Sequence, residues 1–296
     1  EFEQLIYNVQ QLRSPLPKNR WQGIEKDSEI VEKFALHNTQ GNFIDQFDFD
    51  HLYFKIPPEE QAPLLPQQLL MMKVLDEALN DANLPRGGNI GVIVAMEMDL
   101  GIHQFRGRID VAWQLQESLK NSDIKLTTDQ QEQLSELLKD SLHNAVEINQ
   151  FTSFIGNIIP CRICSLWDFS GPAFTISSQE NSAFKALEVA QLFLDSGEVD
   201  AMLVAAVDLS GGIEHVYLQS QRNKNNDFNF AIGEGAGAIV LKRTDQLADK
   251  DRVYAAIESL SGVRSGSDGK QNALKQASDN AMKQAAIERN EIDYIE

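Results

Sequence analysis

The spacing of apolar positions changes along the chain, and each change marks where one element gives way to the next. Leu70, Met71, Val74, Leu75, Ala78 and Leu79 recur three and four residues apart, the period of one helix face. Pro66, preorganised for a first helical turn, opens that helix, and Pro85-Arg86-Gly87-Gly88 ends it. Gly91-Val92-Ile93-Val94-Ala95-Met96 then runs without a polar residue, as a strand covered on both faces of a parallel sheet does. Phe174-Thr175-Ile176-Ser177 predicts a strand, and Ala201 to Val207 predicts another buried one. Between them a helix is expected over about 181–195, facing inward through Ala183, Leu187, Ala190 and Leu194 and closed by Gly197.

Elsewhere the pattern is weaker. Residues 1–60 are mixed and loop-rich. Residues 115–148 predict one long polar surface helix, capped by Thr127 or Thr128 (with Gln131 three residues after the latter), its stripe being Leu134, Leu137, Leu138 and Leu142. Gly233, Gly235 and Gly237 form a glycine-rich turn leading into a strand that ends at Leu241. Tyr254-Ala255-Ala256-Ile257 reads as extended, a last helix covers about 271–287, and the chain stops within an expected strand. Strands alternating with helices predict a layered α/β fold. A single domain over 1–296, with a polar helical insertion at about 115–148, is the expected organisation.

Composition narrows the function classes. The 44 acidic and 26 basic residues give a net charge of −18, which disfavours a nucleic-acid partner, since phosphate binding needs a basic surface. The same balance disfavours anionic membranes, and it disfavours direct grip on an acidic carrier protein unless a local basic patch exists. Arg106-Gly107-Arg108 and Lys242-Arg243 are the short basic clusters. No apolar run is long enough for a membrane-spanning helix, and a cytoplasmic location is expected. The chain opens on Glu1 rather than methionine, and both ends read as cut from something longer. Cys161 and Cys164 form a CxxC, but no second such pair or paired histidines accompany it, and two small buried residues is the expected role. No metal or cofactor is expected.

The chemistry would sit between Gly171 and Asp195. A side chain at the tight turn from a buried strand into a helix feels the partial positive charge of the helix start. A cysteine placed there would be a nucleophilic thiolate. Asp168-Phe169-Ser170-Gly171-Pro172-Ala173-Phe174-Thr175-Ile176 resembles the β-ketoacyl synthase signature, in which Gly-Pro-x-Phe-Thr-Val leads to Asp-Thr-Ala-Cys-Ser-Ser. Ser177, Ser178, Gln179, Glu180, Asn181 and Ser182 fall on its last six positions, so Glu180 takes the nucleophile's place. Leu65-Pro66-Gln67-Gln68-Leu69-Leu70 is similar to the family's Asp-Pro-Gln-Gln-Arg helix start, and Gly233-Glu234-Gly235-Ala236-Gly237 to its Gly-Glu-Gly-Ala-Gly turn. Asp293-Tyr294-Ile295-Glu296 resembles the strand that leads to the first catalytic histidine. A narrower resemblance, carried by residues 89–108 and by Gln150 to Gly156, is to chain length factor domains of the multidomain omega-3 polyunsaturated fatty acid synthases.

The resemblance implies a thiolase-like, layered α/β/α ketosynthase fold, represented mainly by its N-terminal half. It also implies a companion that pairs with an active ketosynthase, meets the acyl carrier protein and acyl chain indirectly, and helps set chain length. No catalytic residue is expected, because a glutamyl anhydride is labile and a resting carboxylate is a poor nucleophile. Glu180 is expected instead to accept backbone N–H bonds at the helix start, as a plug. Phe151, Phe154, Phe174, Ser178, Gln179 and Asn181 are the candidates for the acyl tunnel and interface. His37, His51, His103, His143 and His215 fall on no catalytic position of the family. The alternatives within the family are a malonyl-carrier decarboxylase that primes synthesis, disfavoured by the charge of Glu180, and a residual acyltransferase. A nucleotide site fits poorly, because the glycines at 233–237 precede a strand rather than follow one and are not spaced GxGxxG. A serine hydrolase lacks its elbow motif at Ser177 and Ser178.

Overall fold

The computed structural model describes residues 13–21, 23–33, 40–58, 64–142, 148–209, 211–223, 232–265 and 269–295. In chain order the elements are β1 (Ser14–Pro15), α1 (Ser28–Lys33), β2 (Gln40–Asn42), α2 (Pro66–Asp81), β3 (Ile90–Ala95), α3 (His103–Asn121), α4 (Thr128–Leu142) and α5 (Ile148–Ser153). There follow α6 (Ile158–Trp167), β4 (Ala173–Ile176), α7 (Ser182–Asp195), β5 (Ala201–Asp208), α8 (Ile213–Asn223), β6 (Ile232–Gly233), β7 (Gly235–Leu241) and α9 (Gly269–Ala285). They gather into two compact units interleaved in sequence, one from residues 1–73, 98–158 and 207–236, the other from residues 74–97, 159–206 and 237–296.

The second unit carries a four-stranded sheet in the order β4-β3-β5-β7. β3 pairs in parallel with β4, Val92 opposite Ala173 through Ala95 opposite Ile176, and in parallel with β5, Ile90 opposite Ala201 through Ala95 opposite Ala206. All six residues of β3 are buried, which is why the run reads as continuously apolar. Ile93, Ala95, Met202 and Val204 from the strands form one core with Ala186, Ala190 and Leu194 from α7. The two alanines let the helix approach the sheet closely.

The inward stripe of α7 differs from the expected one. Ser182, Ala186, Ala190 and Leu194 are buried, whereas Ala183 is exposed and Leu187 is half-buried. Ser182 is drawn inward by hydrogen bonds at the preceding turn, and that contact sets the phase of the helix. Gly197 closes it with φ +72°, donating to Leu194 O at 3.1 Å, while Glu198 N reaches Phe193 O at 3.2 Å. This is the left-handed cap for which glycine is suited.

The segment entering β4 is fixed from both sides. α6 ends at Trp167; Asp168 follows with φ +62°, and Phe169 N returns to Cys164 O at 2.9 Å. Trp167 Nε1 donates to buried Asp76 Oδ1 at 3.0 Å, and Asn80 Nδ2 holds the other oxygen at 3.0 Å. Gly171 crosses so close to β3 that a Cβ there would stand 2.5 Å from the carbonyl of Ile90. Within α6 the buried face is Ile159, Pro160, Ile163, Leu166 and Trp167. Cys161 is exposed and Cys164 half-buried, so the expectation of two buried cysteines is corrected: their i, i+3 spacing places them beside that face. Burial, aided by the neighbouring Cys161, pushes the Cys164 thiol up to about 11.

The first unit holds a small sheet, β1-β2-β6, with β1 antiparallel and β6 parallel to β2. Its core joins Leu16, Ile213 and Val216 with half-buried Trp21, Ile24, Phe43 and Ile232. Where one helix was expected over 115–148, α3 and α4 form a hairpin. Asp123 turns the chain at φ +53°, and Thr127 starts α4 by exchanging hydrogen bonds with Gln130 at 3.0 and 3.3 Å. Leu134 and Leu138 are half-buried but Leu137 is 67% exposed, so the stripe is narrower than expected. In the other unit, 251–265 carries no regular element, and residues 292–295 follow a 3₁₀ turn without strand pairing. Tyr254 is tethered there to Asp81, its hydroxyl donating at 2.9 Å, with the Arg252 guanidinium 4.6 Å over its ring.

Candidate functional site: the strand-to-helix elbow

β4 ends at Ile176 and α7 begins at Ser182, so the segment between them turns the chain from strand to helix. The turn is built by side chains from the strand end and from the helix start. Ser177 Oγ donates to Met96 O, and Met96 N donates to Ile176 O at 3.1 Å. These contacts continue the β3–β4 ladder for one more step. Gln179 then takes a left-handed backbone, φ +53°, a conformation that costs a residue with a Cβ on the order of 1 kcal/mol. A 3₁₀ turn over Gln179–Asn181 follows, with Asn181 N reaching Ser178 O at 3.1 Å. Ser182 Oγ accepts from Ser178 N at 2.8 Å and lies 2.7 Å from Gln179 O, to which it donates.

Glu180 is exposed on this turn, between exposed Asn181 and exposed Gln179, with Ser178 half-buried where the chain leaves the strand. It takes the elbow position expected from its motif, but it does not plug the helix start. The carboxylate that accepts the backbone N–H is Glu97, whose Oε1 lies 2.7 Å from Gln179 N and 3.2 Å from Ser182 Oγ. Sequence reading passed over Glu97. Its signal was a charge directly after an unbroken buried strand, at the carboxyl end where open α/β sheets build their sites. Parallel register does the rest: with Ala95 opposite Ile176, Glu97 is carried alongside Ser178.

The aromatic candidates divide between the units. Phe151 and Phe154 both pack edge-on to Phe105, with centroids at 5.4 and 5.6 Å. Phe154 is buried and Phe151 half exposed. Gln68, itself buried, donates through Nε2 to Ser153 O and so holds the turn beneath Phe154. Phe174 belongs to the other unit and faces Phe193, 6.2 Å away.

The glycine motif also reads differently in space. Gly233, Gly235 and Gly237 have nothing within 4 Å of where a Cβ would stand, and none has a positive φ, so close packing is not what they serve here. The fixed residue is Glu234. Its side chain is fully buried, pairs with Arg20, and accepts from Gly211 N at 2.8 Å and Ile44 N at 2.7 Å. The crowded glycine is Gly211, which touches both Arg20 and Glu234.

Among the described residues no cluster of three or more His, Cys, Asp or Glu is placed to hold a metal. His103 is exposed, His51 stacks edge-on to Phe49 at 5.0 Å, and half-buried His215 lies near Asp99. Burial raises the Asp99 carboxyl, opposed by Gly101 N–H and the His215 charge. His37 and His143 lie outside the described residues. The basic clusters are engaged, Arg106 with Asp110, Arg108 with Asp140, Lys242 with Asp251 and Arg243 with Asp245.

The sequence profile described as beta-ketoacyl synthase, N-terminal domain, matches residues 1–246. The chain belongs to the β-ketoacyl synthase family. This ketosynthase-family chain is 32% identical over 272 residues to a polyunsaturated fatty acid synthase component of Thraustochytrium sp., covering 88% of the chain and 13% of that protein. It is 29% identical to 6-methylsalicylic acid synthase of Aspergillus niger, covering 95% of the chain and 15% of the relative. Among solved structures it matches a PfaC keto synthase-chain length factor at 39% identity and TM-score 0.85, over 97% of the chain and 31% of that structure. The ishigamide ketosynthase/chain length factor matches at 16% identity and TM-score 0.62, over 84% of the chain and 62% of that structure, a likeness of fold. The fold is thiolase-like, and the chain spans 13–15% of the length of these two curated relatives. No helix among the described residues is long and apolar enough to cross a membrane.

Proposed function

We propose that this chain is part of a chain length factor-like ketosynthase homologue that does not condense. In this reading it is one domain, works in a cytoplasmic polyunsaturated fatty acid or polyketide synthase, pairs with an active ketosynthase, and helps set acyl length. The observation that carries the proposal is the elbow: Glu180 stands exposed at the start of α7 where acyl transfer needs a sulfur nucleophile. A carboxylate there cannot hold a stable acyl group through a turnover. Pairing is supported by β4, which forms an edge of its sheet and so presents backbone donors and acceptors to a strand of a partner. Meeting carrier and acyl chain only through that partner fits a surface whose short basic clusters are already ion-paired.

Length control in this proposal lies with Phe151 and Phe154, whose rings, with Phe105, make a rigid aromatic block. Phe154→Ala in the intact synthase should let longer acyl chains form, read by gas chromatography of the released fatty acids. An unchanged product profile from a variant that still folds and pairs would remove Phe154 from that role. Priming by malonyl decarboxylation is the less favoured role, because Glu180 and Glu97 place two carboxylates where carboxylate and enolate charge would have to be accommodated.

A further inference from the structure

We infer that Glu97 is a second lock on the elbow: a carboxylate of the chain's own engages a backbone donor of the turn into α7, one residue before position 180, so that sulfur restored at position 180 would still not become a reactive thiolate. The inference deepens the reading of an inert elbow and rests on it.

The start of a helix lowers the pKa of a thiol because free backbone N–H groups and the helix dipole stabilise the anion. Here two backbone donors of the turn that leads into the helix are already engaged. Gln179 N, one residue before position 180, donates to Glu97 Oε1 at 2.7 Å. Ser178 N donates to Ser182 Oγ at 2.8 Å, and the Ser182 hydroxyl turns its own proton toward Gln179 O and Glu97. A fixed negative charge thus sits within one residue of the nucleophile's place. The other charged groups on the elements packed around it are Glu180 itself and, on α7, the Lys185–Glu188 pair at 2.6 Å and Asp195 at the far end of the helix. That pair largely cancels itself. β3 and β4 carry no charged residue. Glu97 is therefore the charge that governs the elbow once Glu180 is replaced, and it is a positioning residue: the same bond holds Gln179 in its left-handed conformation.

The test compares Glu180→Cys with Glu97→Gln/Glu180→Cys, following iodoacetamide alkylation against pH by peptide mass spectrometry. In that reaction the thiolate displaces iodide and forms one carbon–sulfur bond. Exposed Cys161 serves as the internal reference in both proteins. A like charge beside a thiol raises its pKa, so removing Glu97 should lower the apparent pKa at position 180 by about one unit. Alkylation near neutrality should accelerate about tenfold, with the Cys161 rate unchanged. The amide introduced by Glu97→Gln would retain an oxygen acceptor for Gln179 N, so the turn is kept while the charge is removed. If the double variant does not fold, the single Glu180→Cys protein decides: raising ionic strength screens exposed Glu97 and should lower the thiol pKa. A pKa that is unmoved or raised, by the substitution or by salt, overturns the inference. Neither measurement involves a partner or a product, so failure of length control in the synthase would leave this result standing, and the reverse holds equally.

Discussion

Arg20→Ala is the substitution whose cost the structure defines most closely. Glu234 is fully buried, and its carboxylate is satisfied by Arg20, Gly211 N and Ile44 N. Arg20 also donates through its second nitrogen to Ile44 O at 2.6 Å and lies 5.7 Å over the ring of Phe43. Removing one partner of a buried ion pair costs about 3–5 kcal/mol, mostly from the charge left behind. Two facts pull the figure down. Arg20 retains 19% side-chain exposure, so water already screens it, and two backbone donors still hold Glu234. Arg20→Ala should therefore cost about 2–3 kcal/mol. Glu234→Gln should cost a similar amount, because an amide NH₂ then meets a donor at one of the oxygens. The double variant should be less damaged than the two losses added, with about 1–2 kcal/mol of coupling, since the residues share one network. Urea unfolding followed by far-ultraviolet circular dichroism measures all three. An Arg20→Ala protein within about 0.5 kcal/mol of its parent would place the pair among inconsequential surface bridges and refute the reasoning, as would strict additivity.

Other outcomes follow from single contacts. Trp167→Phe should cost about 1–3 kcal/mol in urea unfolding, because buried Asp76 loses the indole donor at 3.0 Å; a neutral result would mean that Asp76 finds another donor. Gly171→Ala should cost about 1–3 kcal/mol, since its Cβ would meet Ile90 backbone at 2.5 Å, whereas Gly237→Ala, with open space around it, should stay within about 0.5 kcal/mol. Equal effects at the two glycines would contradict that assignment. The Cys164 thiol, raised to about 11 mainly by burial, should resist iodoacetamide at pH 8 while exposed Cys161 reacts, and peptide mass spectrometry would show the contrast. The same raised value favours the folded state by holding a proton that the unfolded chain releases near pH 9. That contribution is complete below pH 9 and lost as pH climbs toward about 11.

Where period and burial coincide, the fold was legible in the sequence. The unbroken apolar run at 91–96 lies almost wholly in a strand, Ile90–Ala95, buried along its whole length, and Pro66 did open its helix. The elbow position of Glu180 was legible as well, because a glycine-proline entry, a strand and a small-residue helix start occur in one order. Three things were hidden, each for a physical reason. Glu97 acts across a strand register, and spacing along one chain does not encode which strands are neighbours. Glu234 looks like a surface acid in a glycine-rich run until Arg20, 214 residues away, is seen to neutralise it. The break between α3 and α4 depends on Asp123 adopting a left-handed backbone, which short polar residues do at modest cost and which leaves no mark on the hydrophobic pattern.

The central claim is that a carboxylate at the elbow leaves this ketosynthase-family chain without an acyl-enzyme. It is tested most directly by incubating the purified protein with acyl-loaded carrier protein and weighing the intact chain. The account predicts an unchanged mass under conditions in which an active ketosynthase gains one acyl group. A mass increase of one acyl group, mapped by peptide analysis to residues 177–182, would contradict it.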